Sequence, residues 1–511
     1  MSTIQVRSAL IATYHKEGLK PILEQLHTLN VNLYALGGTH KFITQLNMPC
    51  TNIADWLSDN AFMSGRLKTF DSKIYAAILA NMDKKDDIET LNNLQIPKFD
   101  LLIVDFYPFL DVLDTTKISE EEQLEFIDIG GISMVRAAAK NYQFTTVVAS
   151  PNQYAELTAM LQKNKGKIRL KQRRYFAAQA FNHTSHHDTQ VFNYLNQKEQ
   201  IPALKISEIN PIPLKYGENP HQKAAFFGQL NAAIDILSTS KTLTYNQLAD
   251  IDTAIALIND FDDQIATFAL VKQGSPCGVA SRKHLIAAFE AALASDPVSA
   301  FGAVLVSNQT IDLQTAQKID KLFYSVLIAP KFDAGVVELL NKKANRILIV
   351  QKNKNRQTHQ FKSLLNGFVV QEQDNTADQW NDFRCVTLKQ PDADSHQDTL
   401  FASKVVKHTK TNAIVIVKNE QLIGSGAGQA SRIDALRQAI HKARSFNFDV
   451  RDAVLASDAY FPFADCVEEC HQQGIGLVLQ TGGSIRDQES IDYCNEHQMS
   501  MIFSNIRHFK Y

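Results

Sequence analysis

Along the first third of the chain, apolar and polar positions alternate in two rhythms. Compact apolar runs at Ala9 to Thr13, Val31 to Leu36, Leu101 to Phe106 and Thr145 to Ala149 predict buried strands. Between them, GLKPILEQLHTLN and QYAELTAMLQKNKG carry apolar residues at helical spacing. Strands separated by helix-length segments predict parallel pairing in an α/β layer. The polar, proline-containing stretch NQKEQIPALKISEINPIPLKYGENPHQ then breaks the rhythm and predicts a linker at residues 197–215, between a domain at 1–196 and a domain at 216–511. Beyond it, TFALVKQGSPCGVA precedes the helical RKHLIAAFEAALAS, and AVLASDAYFPFADC precedes a helical stretch and GIGLVLQTGGSIRD. Strand, polar turn and helix recur in one order, which predicts a duplicated α/β unit. Within the first block, LVKQGSPCGVA reads as a buried strand that ends in Lys272 and Gln273 and then turns through Gly-Ser-Pro-Cys-Gly at a pocket mouth.

Length adds that more than one core is expected, since the chain has 511 residues of which 45% are hydrophobic. Charge narrows the partners: Lys+Arg 52 against Asp+Glu 54 gives −2, which disfavours a nucleic-acid surface and favours small-molecule chemistry. No apolar run approaches the ~20 residues of a membrane span, and the start has no basic segment before a long apolar core. A cytoplasmic protein is expected. The 6 cysteines include no CxxC pair and read as reduced thiols. Cys466, Cys470 and His471, like His183, His186, His187 and Asp188, have ligand-like spacing, but a helix face explains each group better, so no metal site is expected.

Some short segments carry candidate chemistry. In YALGGTHKF a strand runs through Gly37, Gly38 and Thr39 into a helix, a geometry that lets backbone N–H groups approach a phosphate. A tight strand–helix junction would look the same. In MSGRLKTFDSK, Arg66, Lys68 and Thr69 offer two cations and a hydroxyl to a phosphate or oxyanion, or form a solvated loop. Tyr107 follows a strand in VDFYPF, and FIDIGGISMVRAAAKNY sets Asp128 at a helix start and Lys140 at its end, which are also ordinary capping positions.

With GGTHK, GRLKT, FYPF, IDIGG, RAAAKN, KYGENPHQKAA, PCGVA, DPVSAFG, IAP, VVKHTKTNAIV, GAGQASR, SDAYFPF, GGSIRD and IRHF in order, the whole chain resembles the bifunctional AICAR transformylase/IMP cyclohydrolase family. The resemblance implies a methylglyoxal-synthase-like domain followed by two cytidine-deaminase-like subdomains. It also implies a homodimer with transformylase sites at the subunit interface. The reactions would be formyl transfer from 10-formyltetrahydrofolate to AICAR, then closure of formyl-AICAR to IMP with loss of water. Folate, AICAR, formyl-AICAR and IMP are the implied small-molecule partners, and a monovalent cation in the second half is admitted, although the sequence offers no ligand set for it.

Carried over residue by residue, the cyclohydrolase roles fall on Lys68, Thr69, Tyr107, Asp128 and Lys140, with Gly37, Gly38, Thr39 and Arg66 on substrate. Transformylase catalysis falls on Lys272 and Gln273. Substrate contacts fall on Lys215, Tyr216, His221, Phe301, Gly302, Asn412, Arg432, Phe463, Asp465, Ser484 and Arg507. The chain departs from the family at several of these places. Lys-His-Thr-Asn-Pro-Cys-Gly becomes KQGSPCG, so the histidine expected beside Lys272 is Gln273. A glutamine amide makes hydrogen bonds but does not take a proton at neutral pH. His221 and His408 stand as candidate substitutes. An arginine before Tyr-Gly becomes Lys215, and an acidic residue becomes Ser325. In the first half, Ser-x-Ser-Asp-Lys-Thr-Gly becomes ATYHKEG, Lys-Thr-Leu-His-Pro becomes KTFDS, Ile-His-Gly-Gly becomes IYAA, and Asn-Leu-Tyr becomes Asp105-Phe106-Tyr107. The leading expectation is that both activities persist. The alternatives are a cyclohydrolase with a scaffolding second half, or a purine-nucleotide-binding protein without catalysis.

Overall fold

The computed structural model describes residues 3–56, 70–107, 109, 118–238, 242–343, 345–354 and 357–511. It divides into two compact units, Met1–Asn210 and Pro211–Tyr511.

The first unit is built on a 5-stranded sheet in the order Thr51–Asn52, Asn32–Ala35, Ser8–Ala12, Leu101–Val104, Thr146–Val148, all parallel. Its inner strands are continuous apolar runs because helices cover both faces. Alternation splits their side chains between two cores. Ala9, Ile11, Leu101 and Ile103 enter one, while Leu10, Leu102 and Val104 enter the other. The last helix, Leu170–Glu199, runs 30 residues and carries His183, His186, His187 and Asp188 along it. No group of three potential ligands gathers around a metal-sized point among the described residues.

The second unit contains two 6-stranded sheets of one topology. The first runs Ile234–Ile236, Ile347–Gln351, Val326–Ala329, Val304–Ser307, Ala266–Lys272, Ser275–Arg282. The second runs Arg384–Cys385, Ser500–Phe503, Leu477–Gln480, Val454–Ser457, Ile414–Val417, Leu422–Gly426. Parallel and antiparallel pairings match strand for strand, and even the register shift recurs, between Leu270 and Val271 and between Ile416 and Val417. Helices Tyr245–Ile258 and Ser395–Lys407 lie in a core to which both sheets contribute. Leu285–Ser295 and Arg432–Ser445 cover the outer faces so closely that a Cβ at Gly278 or Gly424 would strike the carbonyl of Ala292 or Ala439.

The duplication is therefore present, but its halves pair differently from the expectation. TFALVKQGSPCGVA corresponds to the hairpin Ile414–Gly426, whereas AVLASDAYFPFADC corresponds to the segment beginning at Val304–Ser307. An apolar run before a polar turn describes a hairpin strand and a parallel strand equally well. The Gly-Ser-Pro-Cys-Gly turn is also corrected: Ser275–Arg282 is a strand, and the turn is Gln273-Gly274 alone.

Candidate functional site

In the first unit, candidate residues gather at the carboxyl ends of the central strands, the edge where parallel sheets open a crevice. The loop after Ser8–Ala12 is held by two partners. Thr39, buried at the start of helix Gly37–Gln45, accepts the Thr13 N–H at 3.1 Å and donates its hydroxyl to the Thr13 carbonyl at 3.0 Å. Asp105, following Leu101–Val104, accepts the His15 N–H at 2.9 Å and the Tyr14 N–H. Lys16 donates to the carbonyls of Thr13 and Tyr14; burial lowers its pKa, while Asp105 and Glu17 act to raise it. Thr39 thus ties the glycine turn to this loop, and Gly37 and Gly38 remain exposed with open space where a Cβ would stand.

Tyr107 and Asp128 come together beside that loop. The rings of Tyr14 and Tyr107 meet edge to face at 5.3 Å. Burial raises the Asp128 carboxyl, against the opposing pull of N–H donors on Gly131, Tyr107 and Ile132. Gly131 is needed there, since its N–H sits 2.7 Å from Asp128 Oδ1 and a Cβ would lie 2.8 Å from Oδ2. Burial, then Asp128 and Tyr14, raise the Tyr107 hydroxyl. Lys140 is not part of this group. It is exposed at the far end of Gly130–Lys140, whose 11 residues span about 16 Å. Arg66, Lys68 and Thr69 lie outside the described residues.

In the second unit, Gln273 and Gly274 form a two-residue hairpin tip with φ of 53° and 76°. Positive φ at both positions is the type I′ signature. Asp250 on helix Tyr245–Ile258 accepts both tip N–H groups, from Gln273 at 3.2 Å and Gly274 at 2.7 Å. Burial raises the Asp250 carboxyl, opposed by these bonds and by Lys410 and Lys510. Lys272 donates to the Phe301 carbonyl at 2.6 Å, and Phe301, 61% exposed, stacks on Phe323 at 4.6 Å. Gly302 turns there with φ of 78° and donates its N–H to the Phe323 carbonyl.

A second cluster centres on Arg432, which is buried and paired with Asp458. Its guanidinium lies 5.6 Å from the Phe509 ring, and that of Arg507 lies 4.3 Å from the same ring. Asn412 donates its amide to the carbonyls of Gln429 and Ala430. Phe463, 51% exposed, lies under Arg486 at 5.0 Å, Asp465 opens helix Asp465–Gln473, and the Ser484 N–H bonds Asp487. The clusters are linked: Lys410 donates its N–H to Ser275 Oγ, and the Thr411 N–H reaches the Lys510 carbonyl. Lys215 lies over Tyr216 at 5.9 Å; Lys215 and His221 are exposed. Ser325 is spent on the Ala303 carbonyl at 3.1 Å.

His408 is not a substitute base. It is buried against Asp260 at 2.7 Å, and burial pushes its pKa down to about 4. Sequence reasoning missed Asp250, Lys410 and Lys510. Lys410 lies inside the quoted VVKHTKTNAIV, but nothing local marks Asp250 as a partner of a turn 23 residues away. It also missed that His15 and Asp105 meet.

A family model described as an MGS-like domain matches residues 18–133, and one described as the AICARFT/IMPCHase bienzyme matches residues 138–442. The chain is 45% identical over 507 residues to a bifunctional purine biosynthesis protein PurH of Bacteroides thetaiotaomicron, covering 99% of each chain. It is 38% identical to the protein of that name from Caldicellulosiruptor saccharolyticus, covering 99% of this chain and 100% of the relative.

Proposed function

The chain belongs to the AICARFT/IMPCHase bienzyme family, and we propose from its geometry how two activities are divided along it. It is a bifunctional AICAR transformylase and IMP cyclohydrolase serving the last two steps of purine biosynthesis. Formyl transfer belongs to the second unit and ring closure to the first.

The observation that carries the division is the hairpin tip. A turn held by Asp250 at both N–H groups presents Lys272 and Gln273 in one geometry, which is what positioning a weak amine against a formyl donor requires. The Lys272 ammonium stabilises charge as the formyl carbon is attacked. Gln273 orients the AICAR carboxamide through hydrogen bonds. Phe301 and Phe463 offer exposed rings for the flat substrates, and Lys215 and Arg507 offer cations for phosphate.

In the first unit, the carboxamide nitrogen of formyl-AICAR attacks the formyl carbon and water is lost. Tyr107, kept protonated, donates to the developing oxyanion, and Asp128, with its raised carboxyl, takes part in proton transfer. The family motif assigns Lys68 and Thr69 to the same reaction.

10-Formyltetrahydrofolate is the co-substrate of this reading. Exposed Phe301, Phe463 and Ile485 support a homodimer that covers the second-unit clusters. No described helix is long and apolar enough to cross a membrane. Six free cysteines support a cytoplasmic setting. For a monovalent cation a candidate ligand is Asp458 Oδ2, buried without a hydrogen-bond partner. The Arg432 guanidinium already balances the Asp458 carboxylate, however, so the residues present do not fit a cation there.

Chromatographic analysis after mixing the protein with AICAR and 10-formyltetrahydrofolate tests the reading. IMP is expected. Formyl-AICAR alone would remove ring closure, and absence of both would leave the second unit as scaffold.

A further inference from the structure

Two departures from the family sequence meet in space. ATYHKEG, where the family has Ser-x-Ser-Asp-Lys-Thr-Gly, contributes His15; Asp105-Phe106-Tyr107, where it has Asn-Leu-Tyr, contributes Asp105. His15 Nδ1 lies 3.0 Å from Asp105 Oδ2, with side-chain exposures of 40% and 4%. The same carboxylate accepts the backbone N–H groups of Tyr14 and His15, so it fixes both the loop and the ring. When Nδ1–H donates to a carboxylate, Nε2 keeps the lone pair that accepts a proton.

The replacements make sense only together. An aspartate left at position 15 would face the carboxylate of Asp105, a like-charge pair that is costly at this separation. The surroundings are those of the ring-closure site. The Tyr14 ring contacts His15 at 5.0 Å and Tyr107 at 5.3 Å, and Asp105 acts on Asp128 through its charge.

We propose that His15 and Asp105 form a proton-transfer pair for ring closure, with His15 acting on the substrate as a catalytic residue and Asp105 positioning it. The inference rests on ring closure occurring at Tyr107 and Asp128. As the carboxamide nitrogen bonds to the formyl carbon, the carbonyl π pair moves to oxygen. The nitrogen's proton passes to His15 Nε2, which returns it to that oxygen to give a hydroxyl. In the second step the carbon–oxygen bond breaks and the formamide nitrogen gives up its proton to the departing hydroxyl, which leaves as water. Tyr107 and Asp128 hold the oxygen through both steps.

The test is the ring-closure rate of purified full-length variants supplied with formyl-AICAR, with formyl transfer as the control for folding. His15→Gln is expected to lower kcat about 10²-fold or more, the range a general base supplies, with KM changed little. It should also change the pH–rate profile of ring closure relative to wild type. The other titratable groups at this corner are Tyr14, Lys16, Glu17, Asp105, Tyr107, Asp128 and Tyr154, and all remain in that variant. His15→Asp should be slower than the double variant His15→Asp, Asp105→Asn, which restores the family pairing. A His15→Gln variant with unchanged kcat and pH profile, or equal rates in the single and double variants, would overturn the pair. A wild-type chain that makes no IMP would instead overturn the site reading beneath it.

Discussion

A φ of 53° limits what side chain can stand at Gln273, because that backbone region admits only some residues without strain. Histidine is among the residues enriched there. Gln273→His therefore fits the tip and adds a group that takes a proton near neutrality. We expect formyl transfer to speed up severalfold or more, measured with saturating AICAR and folate donor; an unchanged or slower variant would mean the site is organised around the amide. Two buried histidines act instead on stability, with opposite signs. Burial lowers His508, but Asp374 and Asp378 overcome it and raise the pKa to about 9. Its contribution is full below the unfolded value of ~6.5 and lost as pH rises through about 9. His408, depressed to about 4 by burial, contributes above ~6.5 and loses that contribution as pH falls through about 4. Urea midpoints should thus decline on both sides of neutrality. His508→Gln should flatten the alkaline decline alone.

At the scale of elements, one device occurs twice. Asp250 accepts the N–H groups of Gln273 and Gly274, and Asp398 on helix Ser395–Lys407 accepts those of Asn419 and Glu420 at 2.8 and 2.5 Å. Both tips have positive φ at their turn residues. Only the first carries the Lys-Gln pair, so the second is an internal control. Asp250→Ala and Asp398→Ala should each cost about 1 kcal/mol, the net worth of the lost hydrogen bonds, because the donors left behind are exposed or half-buried and water can meet them. Only Asp250→Ala should lower kcat for formyl transfer; equal kinetic effects would reduce Asp250 to a structural cap. Little of this device was legible beforehand. The strands were, because runs such as Leu101–Val104 are buried on both faces and read as unbroken apolar stretches. The tip was not, because Gln-Gly lacks the Asn-Gly signal of a type I′ turn, and Pro276 made the following strand look like a loop. Asp250 gains its meaning only when the helix packs against the hairpin.

Each of the two units has hydrophobic cores of its own among the described residues. Two of these clusters belong to the first unit and three to the second. The second unit's duplication was visible as a recurring order of elements, but its true pairing needed the strand directions, which periodicity does not carry. In the first unit, Tyr107 and Asp128 were identified through family motifs, and their meeting depends on a parallel sheet that brings separate strand ends to one edge. Lys140, named through the same motifs, stands at the exposed far end of helix Gly130–Lys140. Separate cores make a functional prediction. Lys68 sits in the motif tied to ring closure, so Lys68→Ala should abolish that step while formyl transfer continues nearly unchanged. Given AICAR and 10-formyltetrahydrofolate, the variant should accumulate formyl-AICAR in place of IMP. If both products vanish in a protein whose urea midpoint is unaltered, the steps share a site, and their division between the units is wrong.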